Sequence, residues 1–421
     1  MNASPETQTE TRRATQLVAL CCAVYFTSYL TRKGYDASIL AICDETDLAR
    51  SAAGLASTAA VALYGSGQFV TGALADRFDA RKIVLGALLL TAACNALMPV
   101  VVGCVPAMVA LWAVNGFAQA MFWPPLVKIV AANLRPGAYR GAIFWISVSC
   151  NVASLAVYLL VSSCIRISGW QLAFAISVTA ALAVAVLWRV AAPRLAPESG
   201  LVPRTQSPGA EKTSASAGIP IGRLIVAAGL IPAMAAIVCQ GFLRDGIEVW
   251  APTIVSDLYR LGTSGSIFSA ALLPVFSVMS MAGSRLLRRW LGDEMKAAIT
   301  LFGLGLACAS LLFATDGATL AIGLPLLALL SASMHGTNLM LIGELPGRFA
   351  RYGRVGTISG LLNAFTYIGA AISIYGFPIL HERFQGWRPV FAIWMGILAL
   401  GLTLTCLARR SFRSFTQKAK E

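Results

Sequence analysis

A chain of 421 residues that is 57% hydrophobic and only 12% charged cannot cover a soluble domain of its size with polar surface. Its net charge of +14 at pH 7 raises nucleic acid as a partner, but the placement of those charges, taken up below, excludes it. The ten cysteines include no Cys-x-x-Cys pair, so neither a zinc site nor a redox dithiol is indicated, and no cofactor or metal is expected.

Apolar blocks of membrane-spanning length, bounded by charge clusters, recur along the chain. The first, 16–41, follows Arg12 and Arg13 as a signal peptide would, yet the many blocks behind it make it an uncleaved first helix. Spans are expected next at 52–74, 82–102, 107–133, 139–162 and 170–188. A stretch rich in Pro, Ser, Gly and Ala, Arg189 to Gly222, has no apolar periodicity and reads as a flexible linker. Six more spans are expected at 223–255, 264–287, 296–315, 317–344, 355–380 and 387–408. The fold class is therefore an all-α membrane protein. Twelve transmembrane helices form two pseudo-symmetric six-helix bundles, 1–188 and 223–421, joined by the linker 189–222.

Lysine and arginine set the topology. Twenty-four of the 33 fall in loops on one face, and only Arg50, Arg166, Arg260, Arg383 and Arg388 on the other. That asymmetry places both termini and the linker in the cytoplasm. The basic charge is a topology signal, and no nucleic acid is expected.

Four cations remain inside spans: Arg32, Lys33, Lys128 and Arg244. A charge at the bilayer centre costs at least ~2.5–3.5 kcal/mol, so it lines a cavity or has a partner. Lys128 lies near the cytoplasmic end of span 4, where it can snorkel to water. Arg32 lies about 16 residues into span 1, roughly 24 Å along it at the helical rise, and Arg244 is similarly deep in span 7. Arg32-Lys33-Gly34-Tyr35-Asp36 and Arg244-Asp245-Gly246-Ile247-Glu248 share Arg-x-Gly-x-acid at matching places in the two halves. Two such guanidiniums suit a compact polyvalent anion, to which each offers bidentate hydrogen bonds. The competing reading pairs each arginine with the acid one turn on, Arg32 with Asp36 and Arg244 with Glu248, as structural gates. His335, within span 10, is a further candidate for the cavity. No nucleophile–base pair, metal cluster or phosphate-cradling glycine loop is found, so no enzyme is expected.

The loop Gly72-Ala73-Leu74-Ala75-Asp76-Arg77-Phe78-Asp79-Ala80-Arg81-Lys82 resembles the signature loop of the major facilitator superfamily between spans 2 and 3. That resemblance implies a gating role for Asp76, Arg77 and Arg81. The second-half copy, Gly283 to Arg289, has Leu287 where the acid would stand. Finer matches are Tyr25 and Tyr29 before Arg32-Lys33, Gln119-Ala120-Met121-Phe122-Trp123-Pro124-Pro125, Leu243-Arg244-Asp245-Gly246-Ile247 with Trp250-Ala251-Pro252-Thr253, and Gly356-Thr357…Gly360 with Tyr367. These resemble the organophosphate:phosphate antiporters of that superfamily, in their glycerol-phosphate and hexose-phosphate branch.

The resemblance implies that Arg32 and Arg244 hold phosphate while Tyr25, Tyr29 and Tyr367 supply hydrogen bonds. It also places Lys33, Gln119, Trp123, Cys150 and Asn151 at the substrate. Two positions depart from the family pattern: Gln68 stands for a lysine, and Cys150, before Asn151-Val152, stands for a histidine. Selectivity is expected from Gln68, Ser147, Cys150, His335, Asn338, Ser359 and Asn363. The implied function is a secondary transporter of the bacterial inner membrane, exchanging an organic phosphate ester for inorganic phosphate by rocker-switch alternating access. Electroneutrality favours exchange, because an empty site with two uncompensated arginines is expensive to reorient. Its partners would be a small anionic substrate and the lipid bilayer, and the protein would be a monomer. Alternatives are a transporter-like sugar-phosphate sensor and a facilitator for another organic anion such as a sugar acid.

Overall fold

A computed structural model describes residues 5–197, 222, 225–226, 228–317, 319–352 and 355–418. Among them every regular element is helical. In chain order these are α1 (Pro5–Thr46), α2 (Arg50–Arg77), α3 (Ala80–Val101), α4 (Val105–Ala120), α5 (Trp123–Asn133), α6 (Pro136–Ile167) and α7 (Trp170–Leu195). After them come α8 (Leu230–Tyr259), α9 (Thr263–Ala270), α10 (Leu272–Leu291), α11 (Glu294–Thr315) and α12 (Leu320–Asn338). A π-helical turn (Leu339–Glu344) and a 3-10 segment (Leu345–Tyr352) lead into α13 (Val355–Phe384) and α14 (Arg388–Lys418). The chain divides into two compact units, Met1–Thr205 with Thr263–Phe268 and Gln206–Gly262 with Ser269–Glu421.

Eleven membrane crossings among the described residues are long and apolar enough to span a bilayer. The expected span 52–74 lies within α2, which has 28 residues. Its glycines, serines, threonines and Gln68 dilute its hydropathy below that of the others. A polar-rich helix of this kind is tolerated where protein, not lipid, covers it.

Prolines move two boundaries. The expected span 107–133 breaks between α4 and α5, because Pro124 and Pro125 cannot donate backbone hydrogen bonds and open the new helix instead. The carbonyl of Ala120, which Pro124 would otherwise satisfy, accepts from the Thr71 hydroxyl at 2.9 Å. Span 264–287 breaks at Ala271, three residues before Pro274. The seventh span begins at Leu230 rather than 223, behind Gly229 at φ +63°, a left-handed conformation that glycine adopts without strain. The sixth continues to Leu195, so the first residues of the expected linker are helical; residues 198–221 lie outside the described ones.

Helix association in lipid relies on close packing and hydrogen bonds, not on hydrophobic burial, and small residues permit it here. A Cβ on Gly116 of α4 would lie 2.1 Å from the Ala60 carbonyl oxygen of α2. In the second unit, Gly241 of α8 stands equally close, 2.1 Å, to the Thr366 carbonyl oxygen of α13. Hydrogen bonds recur at both ends of the helices. Asp79 caps α3 through the Arg81 backbone N–H, and Asp293 caps α11 through those of Met295 and Lys296. At the opposite ends, the Trp170 indole donates to Glu45 at 2.7 Å, and that of Trp387 to Asp257 at 2.9 Å. Two short repeats, Asp-x-x-Lys at 79 and 293 and Gly-Trp at 169 and 386, mark these contacts in the sequence.

Gly241→Val drives a branched side chain into the α13 backbone, an overpacking worth at least ~1–3 kcal/mol. Thermal unfolding in detergent should begin several degrees lower. Gly396→Ala, where a Cβ meets nothing within 4 Å, should match the parent; equal melting of all three proteins would refute the packing.

Candidate anion-binding residues in each unit

In the first unit, Arg32 leaves α1 half-buried, with its guanidinium carbon 4.2 Å from the Tyr64 ring centre on α2 and 6.0 Å from that of Tyr29. Aromatic faces stabilise a cation there without using its N–H edge, the part that recognises phosphate or carboxylate. Tyr25 packs edge-on against Tyr29 (5.5 Å) and at a tilt against Trp123 (5.3 Å), so three expected residues adjoin one another on the same side as Arg32. Asp36, expected to pair with Arg32, accepts a hydrogen bond from Ser57 at 2.5 Å. The cavity lined by Arg32, Asp36, Tyr64 and Gln119 measures about 10 Å³, room for a single water and no ester.

Gln119, expected beside the ligand, commits its amide N–H groups to the Thr31 and Thr91 hydroxyls at 3.1 and 2.9 Å. Thr91 in turn donates to Asn115 at 2.6 Å, and Asn95 donates to the Thr31 carbonyl at 2.9 Å. This buried layer ties α1 to α3 and α4 at the residue next to Arg32. Cys150 and Asn151 both bond back to the Ser147 carbonyl within α6, at 3.0 and 2.9 Å. Lys33 lies half-buried on α1. Lys128, expected to snorkel, is held half-buried instead, its ammonium donating to the Ala75 carbonyl near the end of α2.

Of the expected gating residues, the Asp76 side chain lies outside the described ones and Arg77 is exposed. Arg81 grips Asp79 at 2.8 Å and reaches the Ala196 carbonyl at 3.2 Å. Burial would raise the Asp79 carboxyl, but the hydrogen bonds and charge of Arg81, with Lys82 nearby, outweigh it and hold it below the usual carboxylate range. In the second unit, acids distant in sequence take the place of the missing one at Leu287. Arg288 pairs with Glu344, Arg348 makes a fork on Glu294 at 2.8 Å, and Arg409 reaches Asp293 at 3.2 Å.

Arg244 of the second unit departs from the i+4 expectation. Its bidentate partner is the adjacent Asp245, at 2.8 and 3.1 Å, and its remaining edge donates to Asn338 of α12 at 2.8 Å. Glu248 pairs with His335 at 2.9 Å. The pairings 244–338 and 248–335 run in opposite sequence directions, so α8 and α12 are antiparallel here with two polar rungs one turn apart. Tyr367 and Asn363 stand half-buried on α13; the Ser359 side chain is outside the described residues. Tyr64, Ser57 and the partnership of Asp245 were not anticipated.

Residues 21–374 match the Major Facilitator Superfamily. The chain belongs to that family. It is a multi-pass membrane transporter and not an enzyme. It is 24% identical over 148 residues to a probable hexose phosphate transport protein of Chlamydia muridarum, spanning 35% of this chain and about a third (32%) of that relative. Longer matches are the glycerol-3-phosphate transporter of Bacillus subtilis, 26% identical over 90% of this chain and 88% of the relative, and the membrane sensor protein UhpC of Salmonella typhimurium, 25% over 89% and 88%. A bacterial homologue of the lysosomal transporter Spinster shares the fold with a TM-score of 0.75 at 14% identity, covering 98% of this chain and 99% of that one.

Gln119→Leu removes two N–H donors from the buried layer, so the Thr31 and Thr91 hydroxyls keep the bonds they donate but lose the ones they accept, a loss of about 1–3 kcal/mol. Its melting temperature should fall by several degrees, whereas Cys150→Ser should melt with the parent. An unchanged melt for the leucine variant would mean that the layer does not brace α1.

Proposed function

We propose that this facilitator carries an organic phosphate ester, of glycerol-phosphate or sugar-phosphate type, and exchanges it for inorganic phosphate by alternating access. The observation that carries the reading is one guanidinium deep in a span of each unit. Arg32 is steadied on its face by Tyr64, and Arg244 is aimed by Asn338. A fork of this geometry recognises phosphate bidentately and stays charged in a dry site. Tyr25, Tyr29 and Tyr367 supply hydroxyl donors to the ester, while Gln119 positions α1. Near-full-length similarity to a glycerol-3-phosphate transporter supports the same substrate class.

The 24 cations on one face support cytoplasmic termini. The bacterial relatives support the inner membrane, where we take the protein to act as a monomer. Asp76, Arg77, Arg81, Asp36 and Glu248 would then contribute to gating.

A second reading rests on the similarity to a membrane sensor protein: a sensor binds its ester without moving it. Proteoliposomes loaded with phosphate separate the two. A transporter takes up labelled glycerol 3-phosphate in exchange for internal phosphate, whereas a sensor shows ligand-induced thermal stabilisation and no uptake. Arg32→Ala and Arg244→Ala should each lower exchange by at least about 30-fold, the loss expected for deleting one buried charged partner. Parent-like exchange in either variant would refute the assignment. An excess of a sugar acid should compete poorly; strong competition would reassign the substrate to carboxylates.

A further inference from the structure

We infer that the cleft between α1 and α7 of the first unit binds one anionic phospholipid, with the phosphate on arginines at the helix ends and an acyl chain in the cleft. Ala19 and Ala23 line it from α1, and Leu187, Val190 and Ala191 from α7, with Gln16 and Arg194 at its polar end. The cleft measures about 440 Å³, within the ~300–1,000 Å³ of small-ligand sites. At 3.6 residues per turn, Gln16, Ala19 and Ala23 fall on the face of α1 opposite Tyr25, Tyr29 and Arg32. The cleft is therefore turned away from the candidate anion ligands and stands independently of the substrate assigned to them. Leu187 and Val190 are exposed although they belong to a membrane-spanning helix, so this face meets lipid.

The walls are held from behind. The inward faces of the same two helices, Leu17 and Cys21 of α1 with Trp188 and Ala192 of α7, pack in one buried cluster. The Trp188 indole also donates to the Arg81 carbonyl at 3.0 Å. With the backs of both helices fixed, the short side chains at 19, 23 and 191 leave a space on the outer side that longer ones would fill.

The charges at the polar end identify the occupant. Arg13 donates from Nε to the Leu195 carbonyl at 3.2 Å, which sets the start of α1 beside the end of α7. Arg12 stands one turn before Gln16 on the cleft face of α1. No acid offsets these cations from the two walls: α7 contains none, and Glu10, the acid of α1 nearest the cleft, is engaged by Arg135. Three guanidiniums and a carboxamide thus lie at one end of an apolar cleft, where the spans leave the hydrocarbon. A phospholipid presents its groups in that order, phosphate first and chain behind it, and basic pockets between spans hold such headgroups. Guanidinium offers the phosphodiester bidentate hydrogen bonds. From Arg194 to Leu187 the cleft runs about 10 Å along α7 at the helical rise, enough for the upper part of one chain. A partner helix crosses about 30 Å of hydrocarbon, so most of its length would find no cleft.

Native mass spectrometry of the full-length protein titrated with phosphatidylglycerol should show one lipid retained above all others. Phosphatidylcholine with the same chains should bind that site at least about tenfold more weakly, and Arg194→Gln should weaken phosphatidylglycerol about tenfold, the loss of one charged hydrogen bond. Ala19→Trp fills the cleft from an exposed position and leaves every arginine in place; it should weaken retention by a similar factor. Glycerol 3-phosphate, a phosphate without chains, should not displace the lipid. A photo-crosslinking residue in place of Leu187 should capture phosphatidylglycerol. Equal retention of the two lipids, or parent-like retention in either variant, would refute the site. Crosslinking from position 187 to a second copy, or to residues 198–221 of the same chain, would give the cleft another occupant and overturn the proposal. Displacement by glycerol 3-phosphate would move the lipid to the transport site and overturn it equally.

Discussion

In hydrocarbon no water is available to satisfy a polar group, and the architecture of both units follows from that constraint. Where Pro124 frees the carbonyl of Ala120, Thr71 supplies a hydroxyl. Where α1 carries polar residues into the membrane, Gln119, Asn115 and Asn95 surround Thr31 with hydrogen bonds. The two deep arginines are the most demanding cases, and they are accommodated differently. Arg32 rests a face on Tyr64, and Arg244 directs its N–H edge at Asp245 and Asn338.

That difference has a functional meaning. A ring on the face of a guanidinium does not compete with an anion at its edge, so in the anion reading Arg32 keeps the Tyr64 stack when it meets phosphate. In the same reading Arg244 exchanges its carboxylate partner for the phosphate, and the displaced Asp245 then needs compensation inside the membrane. The Glu248–His335 pair lies one turn away on the same two helices.

Much of this was legible in the sequence. Long apolar runs ending at arginine clusters gave the helices and their number to within the polar α2, because hydropathy and the topology of basic loops act residue by residue. The breaks at Met121–Phe122 and Ala271 were harder, since Pro124, Pro125 and Pro274 sit inside apolar runs whose hydropathy does not register a missing N–H. Partner choice was least legible. Helical spacing favours Arg244 with Glu248, but Asp245 wins through its fork geometry and Glu248 is drawn to a histidine 87 positions away. Tyr64 could not be matched to Arg32 from spacing at all, because the contact joins α1 to α2. The repeats Asp-x-x-Lys and Gly-Trp were readable as strings, yet their meaning as cap and indole contacts appears only with the acids they meet.

Equilibrium binding of glycerol 3-phosphate to purified protein, comparing the parent with Arg244→Lys, tests the central claim most directly. Lysine keeps the charge but loses the planar fork that Asn338 and Asp245 orient. If the guanidinium is the anion ligand, affinity falls at least about tenfold, the loss of one good charged hydrogen bond. An affinity equal to the parent's would show that Arg244 serves only its ion pair and that the anion is held elsewhere.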